Sequence, residues 1–167
     1  MVEGSLGGVR GKECDGISAV GGGTVIDIAK VLTVAKSTDR VDELYDPMAN
    51  LEKEHELIIV PTTCGTGSEV TNISIINRTT KGVKVGLVSP AMFADEAALV
   101  PGMLLSLPYP VFATSSIPAL VHPVESYLSP NACALSELFY AQALPLITSC
   151  WKAGVATGGQ GAWNKPS

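Results

Sequence analysis

Pro61-Thr62-Thr63-Cys64-Gly65-Thr66-Gly67-Ser68-Glu69-Val70-Thr71 follows directly on the apolar run Leu57-Ile58-Ile59-Val60. A short continuous apolar run that ends in small and hydroxylic residues predicts a buried strand emptying into a loop. Glycine lets such a loop bring its backbone close to a ligand, and each Thr or Ser hydroxyl can both donate and accept a hydrogen bond. The loop suits a ribose or a phosphate. The unbroken apolar character of residues 57–60 further predicts a parallel strand covered on both faces.

Upstream, Ile17-Ser18-Ala19-Val20 is a second short apolar run, followed by Gly21-Gly22-Gly23-Thr24-Val25-Ile26-Asp27-Ile28-Ala29-Lys30. This reads as strand, tight turn and helix, with the helix over 24–35 and Val25, Ile28, Val31 and Leu32 on one face. Three consecutive glycines remove every Cβ from the turn. Amides at the helix start can then face a diphosphate, where the helix dipole also favours negative charge. A plainer reading uses the same residues: Thr24 as N-cap with Asp27 three positions later is a capping box, and the GxGxxG pattern is not satisfied. The second strand-to-loop end is what favours the phosphate reading, because both ends then fall on one edge of a sheet.

The rest of the chain supplies a frame for these two turns. Residues 39–56 are polar and turn-rich, a surface excursion. Runs at 73–76 and 84–88 flank a turn at 77–82 and predict an antiparallel hairpin. A third short apolar run, 97–100, is ended by Pro101. The pattern becomes helical over 111–127 and again over 134–152, with the switch near 107–110. The expected fold class is α/β: a partial doubly wound parallel nucleotide-binding sheet over 1–108, then the beginning of an all-helical, metal-binding domain over 109–153. The Gly-rich tail 154–167 is expected to be disordered.

At 167 residues, 46% hydrophobic and 16% charged, the chain has material for one real core and is not a disordered composition. A net charge of -5 without clustered Lys and Arg argues against a nucleic-acid partner. No apolar run approaches the roughly 18 residues that a membrane helix needs, and MVEGSLGG lacks a signal-peptide core. A cytoplasmic location without membrane association is the expectation. Cys14, Cys64, Cys133 and Cys150 are far apart with no CxxC, so neither a disulfide framework nor a zinc ribbon is indicated.

The pair GGGTVIDIAK and PTTCGTGSEVT, in this order and spacing, resembles the iron-containing (group III) alcohol dehydrogenase family. The match ELIIVPTTCGTGSEVTNISI looks closest to the 4-hydroxybutyrate dehydrogenase branch, and the likeness runs from about residue 15 to about residue 138. Family members are longer, so the chain is expected to be an internal fragment. The resemblance implies an NAD(P)-dependent oxidoreductase moving hydride between nicotinamide and a small alcohol or hydroxyacid such as 4-hydroxybutyrate. It places Gly22, Gly23 and Thr24 at the cofactor pyrophosphate, with Asp27 among the cofactor-binding residues. Thr62, Thr63 and Thr66 would lie against adenosine and ribose, with Ser68 nearby. Lys84 matches a lysine that reaches the nicotinamide ribose, although a strand lysine is also an ordinary solvated edge residue. Two-fold association is common among such relatives, which leaves a homodimer open.

The resemblance also implies a divalent ion, Fe(2+) or Zn(2+), held by one Asp, a His four residues later and two distant histidines. Spacing of i, i+4 stacks two ligands on one helix face. In the matching segment, Ser116-Ile117-Pro118-Ala119-Leu120-Val121-His122, the first histidine position holds His122, but the aspartate position holds Pro118. The other histidine, His55, lies in a polar stretch and is not at a ligand position. One ligand of the implied set remains, so the hydride step is expected to be impaired, and His122 is expected to be a partly buried helix residue. Pro118, Pro123 and Pro145 also fall inside otherwise helical segments, where an interior proline costs about 3 kcal/mol. A noncatalytic nucleotide-binding or interaction module is therefore the alternative reading. A glycerol dehydrogenase or dehydroquinate synthase relative is a third, disfavoured by the Thr-rich loop and by His122-Pro123-Val124-Glu125-Ser126-Tyr127.

Overall fold

The computed structural model describes residues 14–36, 43–46, 49–79 and 82–156. The expected α/β class is observed, in two compact units. Among the described residues, the first comprises those within 14–62 and 67–100, and the second those within 63–66 and 101–156.

Strand β1 (Gly16–Gly21) pairs in parallel with β2 (Glu56–Pro61), and β2 pairs in parallel with the short β5 (Glu96–Ala97). The register is Ile17 to Leu57, Ala19 to Ile59 and Gly21 to Pro61, so the two strands end level with each other. Helix α1 (Gly23–Val34) makes the crossover and covers one face of this sheet, where Ala19, Ile26, Ala29, Leu57 and Ile59 form a buried cluster. The predicted cover on both faces of β2 is not what these residues show. Its burial alternates, and Ile58 is exposed on the face away from α1, as is Val20 of β1. An apolar run thus marks a strand, while the neighbouring layers decide how many of its faces are covered.

Strands β3 (Ile73–Arg78) and β4 (Val83–Val88) form the expected antiparallel hairpin, and residues 80–81 of its turn lie outside the described residues. One hairpin face carries Ile76 and Leu87 into a second cluster with Val31, Leu32, Val34, Ala35, Leu44 and Met92. Helix α1 therefore contributes to two cores. That explains a difference within the face predicted for Val25, Ile28, Val31 and Leu32: Val25 is exposed, whereas every residue from Ala29 to Val34 is buried.

In the second unit α2 (Tyr109–Leu128) and α3 (Ala134–Ala156) pack together, with the rings of Tyr127 and Tyr140 stacked at 4.7 Å. Both helices run through their internal prolines, Pro118 and Pro123 in α2 and Pro145 in α3. Helix α3 continues to Ala156, so residues 154–156 are helical where a disordered tail was expected, and 157–167 lie outside the described residues. Among the described residues no helix is long and apolar enough to cross a membrane.

Candidate nucleotide site

The carboxyl ends of β1 and β2 meet through a backbone hydrogen bond: the Thr62 amide donates to the Gly21 carbonyl at 3.0 Å. Both strands turn out of the sheet there. Gly21 is buried, and a Cβ on it would lie 2.7 Å from Cβ of Val25, so the first turn of α1 packs directly over this strand end. Only a residue without a side chain allows that approach.

Helix α1 starts with Gly22 as its N-cap, in an extended conformation (φ -82°, ψ -177°) that any residue can adopt. What glycine provides at this position is bare backbone, not an unusual dihedral angle. The Gly22 carbonyl accepts from Val25 and Ile26 at 2.9 and 3.1 Å. The amides of Gly23 and Thr24 precede these first intrahelical donors, and so belong to the set that a helix cannot satisfy internally. No side chain caps the helix, and its first turn carries no acidic residue. The capping-box reading is thereby overturned: Thr24 lies exposed within the first turn, and the Asp27 carboxylate points elsewhere. An uncapped helix start on bare glycine backbone suits an anion.

Asp27 takes part in the attachment of α1 to the hairpin. Its Oδ2 accepts from the Ile75 amide at 3.2 Å, its backbone carbonyl accepts from the Ser74 hydroxyl at 2.7 Å, and the Ser68 hydroxyl also bonds its carboxylate. Burial raises the Asp27 pKa above the ordinary carboxylate value, against the opposing pull of the Ile75 amide, Lys30 and Ser68. One helical turn on, Lys30 is fully buried, and its Nζ donates to Thr71 Oγ1 at 3.0 Å and to the Ile73 carbonyl at 2.9 Å. Burial lowers its pKa, and the charges of Asp27 and Glu69 work in the other direction. Sequence reasoning missed this role for Lys30. The available signal was a lysine placed three residues after Asp27, in a helix half that carries no other charge.

The structure thus brings Gly22, Gly23, Thr24 and Thr62 to one sheet edge, and joins Asp27 to Ser68 behind it. Lys84 is exposed on β4 opposite Asn77, on the hairpin face away from the buried cluster. Thr63 and Thr66 group with the helical unit, where Gly65 (φ 106°) passes so near α2 that a Cβ would collide with the Ser115 carbonyl oxygen. Within that unit Cys64 Sγ lies 3.6 Å from Ser115 Oγ.

Helix α2 keeps Pro118 and His122 one turn apart. His122 is exposed, contrary to the expected partial burial, because the packed side of α2 carries Phe112 and Ser116. Pro118 has no donor atom for a metal. Among the described residues no group of three or more His, Cys, Asp or Glu side chains is arranged to hold an ion. The described residues by themselves do not form the ion site that the resemblance implies.

Over 158 residues the chain is 43% identical to the 4-hydroxybutyrate dehydrogenase of Clostridium kluyveri, covering 95% of this chain and 42% of that protein. Identity to long-chain-alcohol dehydrogenase 1 of Geobacillus thermodenitrificans is 38% over 154 residues, covering 89% and 38%. The chain therefore spans about two fifths of the length of these curated relatives. In three dimensions it matches sulfoacetaldehyde reductase from Bifidobacterium kashiwanohense, solved in complex with NAD+, with a TM-score of 0.87 at 26% identity over 95% of this chain and 43% of that one. The model of one family, described as iron-containing alcohol dehydrogenase, covers residues 1–101. Because that match spans the glycine turn, the threonine loop and the strands that lead into them, the chain belongs to the iron-containing alcohol dehydrogenase family.

Proposed function

We propose that this chain carries the dinucleotide-binding part of an NAD(P)-dependent alcohol or hydroxyacid dehydrogenase, with 4-hydroxybutyrate as the leading substrate. The observation that carries the reading is the Thr62 to Gly21 hydrogen bond, which sets a bare helix start beside Thr62, the first residue of the threonine loop, at the carboxyl edge of a parallel sheet. Ligands of open α/β sheets bind at that edge, and a pyrophosphate meets unsatisfied amides and a favourable dipole there. Gly22, Gly23 and Thr24 hold the pyrophosphate, and Thr62 lies beside it. The roles of Thr63, Thr66 and Lys84 at adenosine and ribose belong to the same proposal. The 43% identity to a 4-hydroxybutyrate dehydrogenase supports the substrate class. The four free cysteines fit a reducing compartment such as the cytoplasm.

For the chain by itself the dehydrogenase step is impaired. Orientation of a bound dinucleotide is within reach of the residues described, but Pro118 and an exposed His122 do not make an ion site. This favours a second reading, a nucleotide-binding module without turnover. Isothermal titration with NAD+ and NADP+, together with an assay of 4-hydroxybutyrate oxidation in added Fe(2+) or Zn(2+), tests both. Binding of one dinucleotide with Kd below about 1 mM, a free energy near -4 kcal/mol, is expected without appreciable turnover. Absence of binding contradicts both readings, and metal-dependent turnover contradicts the module.

A further inference from the structure

Two side chains of the glycine-led helix are spent on something other than a ligand, and the groups they hold belong to the opposite limb of the threonine loop. The loop from 62 to 71 leaves β2 with Thr62 bonded to Gly21. It returns through the short 3-10 turn Ser68–Val70 and Thr71 into β3. On this return limb the Ser68 hydroxyl bonds the Asp27 carboxylate, Thr71 Oγ1 accepts from Lys30 Nζ, and the Ile73 carbonyl accepts a second bond from the same ammonium. Asp27 Oδ2 then takes the Ile75 amide, an outward-facing donor on β3. The loop is pinned at both ends to one strand-turn-helix.

A fully buried ammonium is expensive, and a well-packed apolar side chain of similar volume is often at least as stabilising. What Lys30 gives that an apolar residue does not is direction: its bonds run to two acceptors 41 and 43 residues away, in a turn without other buried apolar anchors. We propose that Asp27 and Lys30 are positioning residues, a brace that fixes the return limb of the loop relative to the start of α1 and so sets the geometry in which the dinucleotide is held. This inference rests on the functional reading above and assigns Asp27 to the loop, not to the cofactor.

The experiment compares wild type with Lys30→Met, Thr71→Val and Asp27→Asn, each first checked by circular dichroism. Two quantities are read: amide exchange at Ile75 in the protein without nucleotide, and Kd for NAD+ and for ADP-ribose. Lys30→Met is expected to speed Ile75 exchange and to weaken both ligands by the same factor, about tenfold for the loss of bonds from a charged donor. Thr71→Val removes one acceptor and shows the same pattern at smaller amplitude. Asp27→Asn keeps an oxygen acceptor for Ile75 but removes the charge that faces Lys30, and shows the same pattern at intermediate amplitude. Unchanged exchange at Ile75 in both Lys30→Met and Thr71→Val overturns the brace. Loss of NAD+ binding with ADP-ribose binding intact also overturns it, because that pattern belongs to direct contact with the nicotinamide half. Wild-type protein that binds neither probe overturns the functional reading instead, and with it the ligand-positioning role.

Discussion

The Thr62 amide and the Gly21 carbonyl are 3.0 Å apart, which makes the last residue of one strand and the first residue beyond its neighbour a single backbone junction. From this junction one chain direction runs into bare glycine backbone and a helix start, and the other into hydroxyl-bearing residues. The proposed function depends on that proximity more than on any individual side chain.

Gly21→Ala tests the junction sterically. The new Cβ would meet Cβ and both Cγ atoms of Val25 at 2.7 to 2.9 Å, and Val25 is held by the helix backbone so that it cannot simply swing aside. Displacement of the first turn of α1 is expected, with Kd for NAD+ raised at least about tenfold, a 1.4 kcal/mol effect. Calorimetric titration measures it, and retention of far-ultraviolet dichroism separates the effect from unfolding.

Gly65→Ala tests the helical unit. Gly65 has a left-handed φ of 106°, and a Cβ there would strike the Ser115 carbonyl. Backbone strain of this kind costs about 1–3 kcal/mol before the collision is counted. A drop in Tm of several degrees, roughly 2–4 °C per kcal/mol for a chain of this size, is the expected outcome in a thermal melt.

Asp95 gives the acid limb of stability. Its Oδ2 accepts from Lys53 Nζ at 2.7 Å and from the Leu57 amide at 2.7 Å, joining the start of β2 to the segment before β5. The Lys53 hydrogen bond, helped by the Leu57 amide, lowers its pKa below 3.8. A depressed carboxylate contributes stability that is present above the unfolded value and is lost as pH falls through the folded one. Asp27, raised mainly by burial, has the opposite sign: its contribution is present below 3.8 and is lost as pH rises through its folded value. Denaturation by urea between pH 5 and pH 2.5 should therefore show a shallower acid loss in Asp95→Asn than in wild type. The difference is small, because the pair is partly exposed and screened.

Pro118→Asp introduces an oxygen donor one turn before His122 and removes an interior proline from α2. A higher Tm is expected, since an interior proline costs a helix about 3 kcal/mol. Tight metal binding is not expected, because two ligands are too few for a stable Fe(2+) or Zn(2+) site. Elemental analysis after loading and desalting gives the answer, and stoichiometric metal would contradict the account.

Much of this arrangement was legible in the chain. The apolar runs before GGGTVIDIAK and PTTCGTGSEVT announced β1 and β2, and the break at 77–82 announced the hairpin, because period and turn chemistry are local properties. The failures share one cause. Lys30, Asp27 and Ser68 are set by partners more than 40 residues away in sequence, or by each other across the loop, and no local pattern encodes such a pairing. Val25 shares a predicted face with Ile28, Val31 and Leu32, and Ile58 lies in a run that predicts a doubly covered strand, yet both are exposed, because periodicity reports amphipathicity without saying which layers are present. The exposure of His122 likewise follows from which side of α2 carries Phe112 and Ser116.

The most direct measurement of the central claim is a titration of 15N-labelled protein with NAD+ or NADP+, followed at the amides of Gly22, Gly23, Thr24 and Thr62. The account predicts that all four shift together along one isotherm with a single Kd. Shifts confined to one side of the Gly21 to Thr62 junction, or absent from both at saturating dinucleotide, would contradict it.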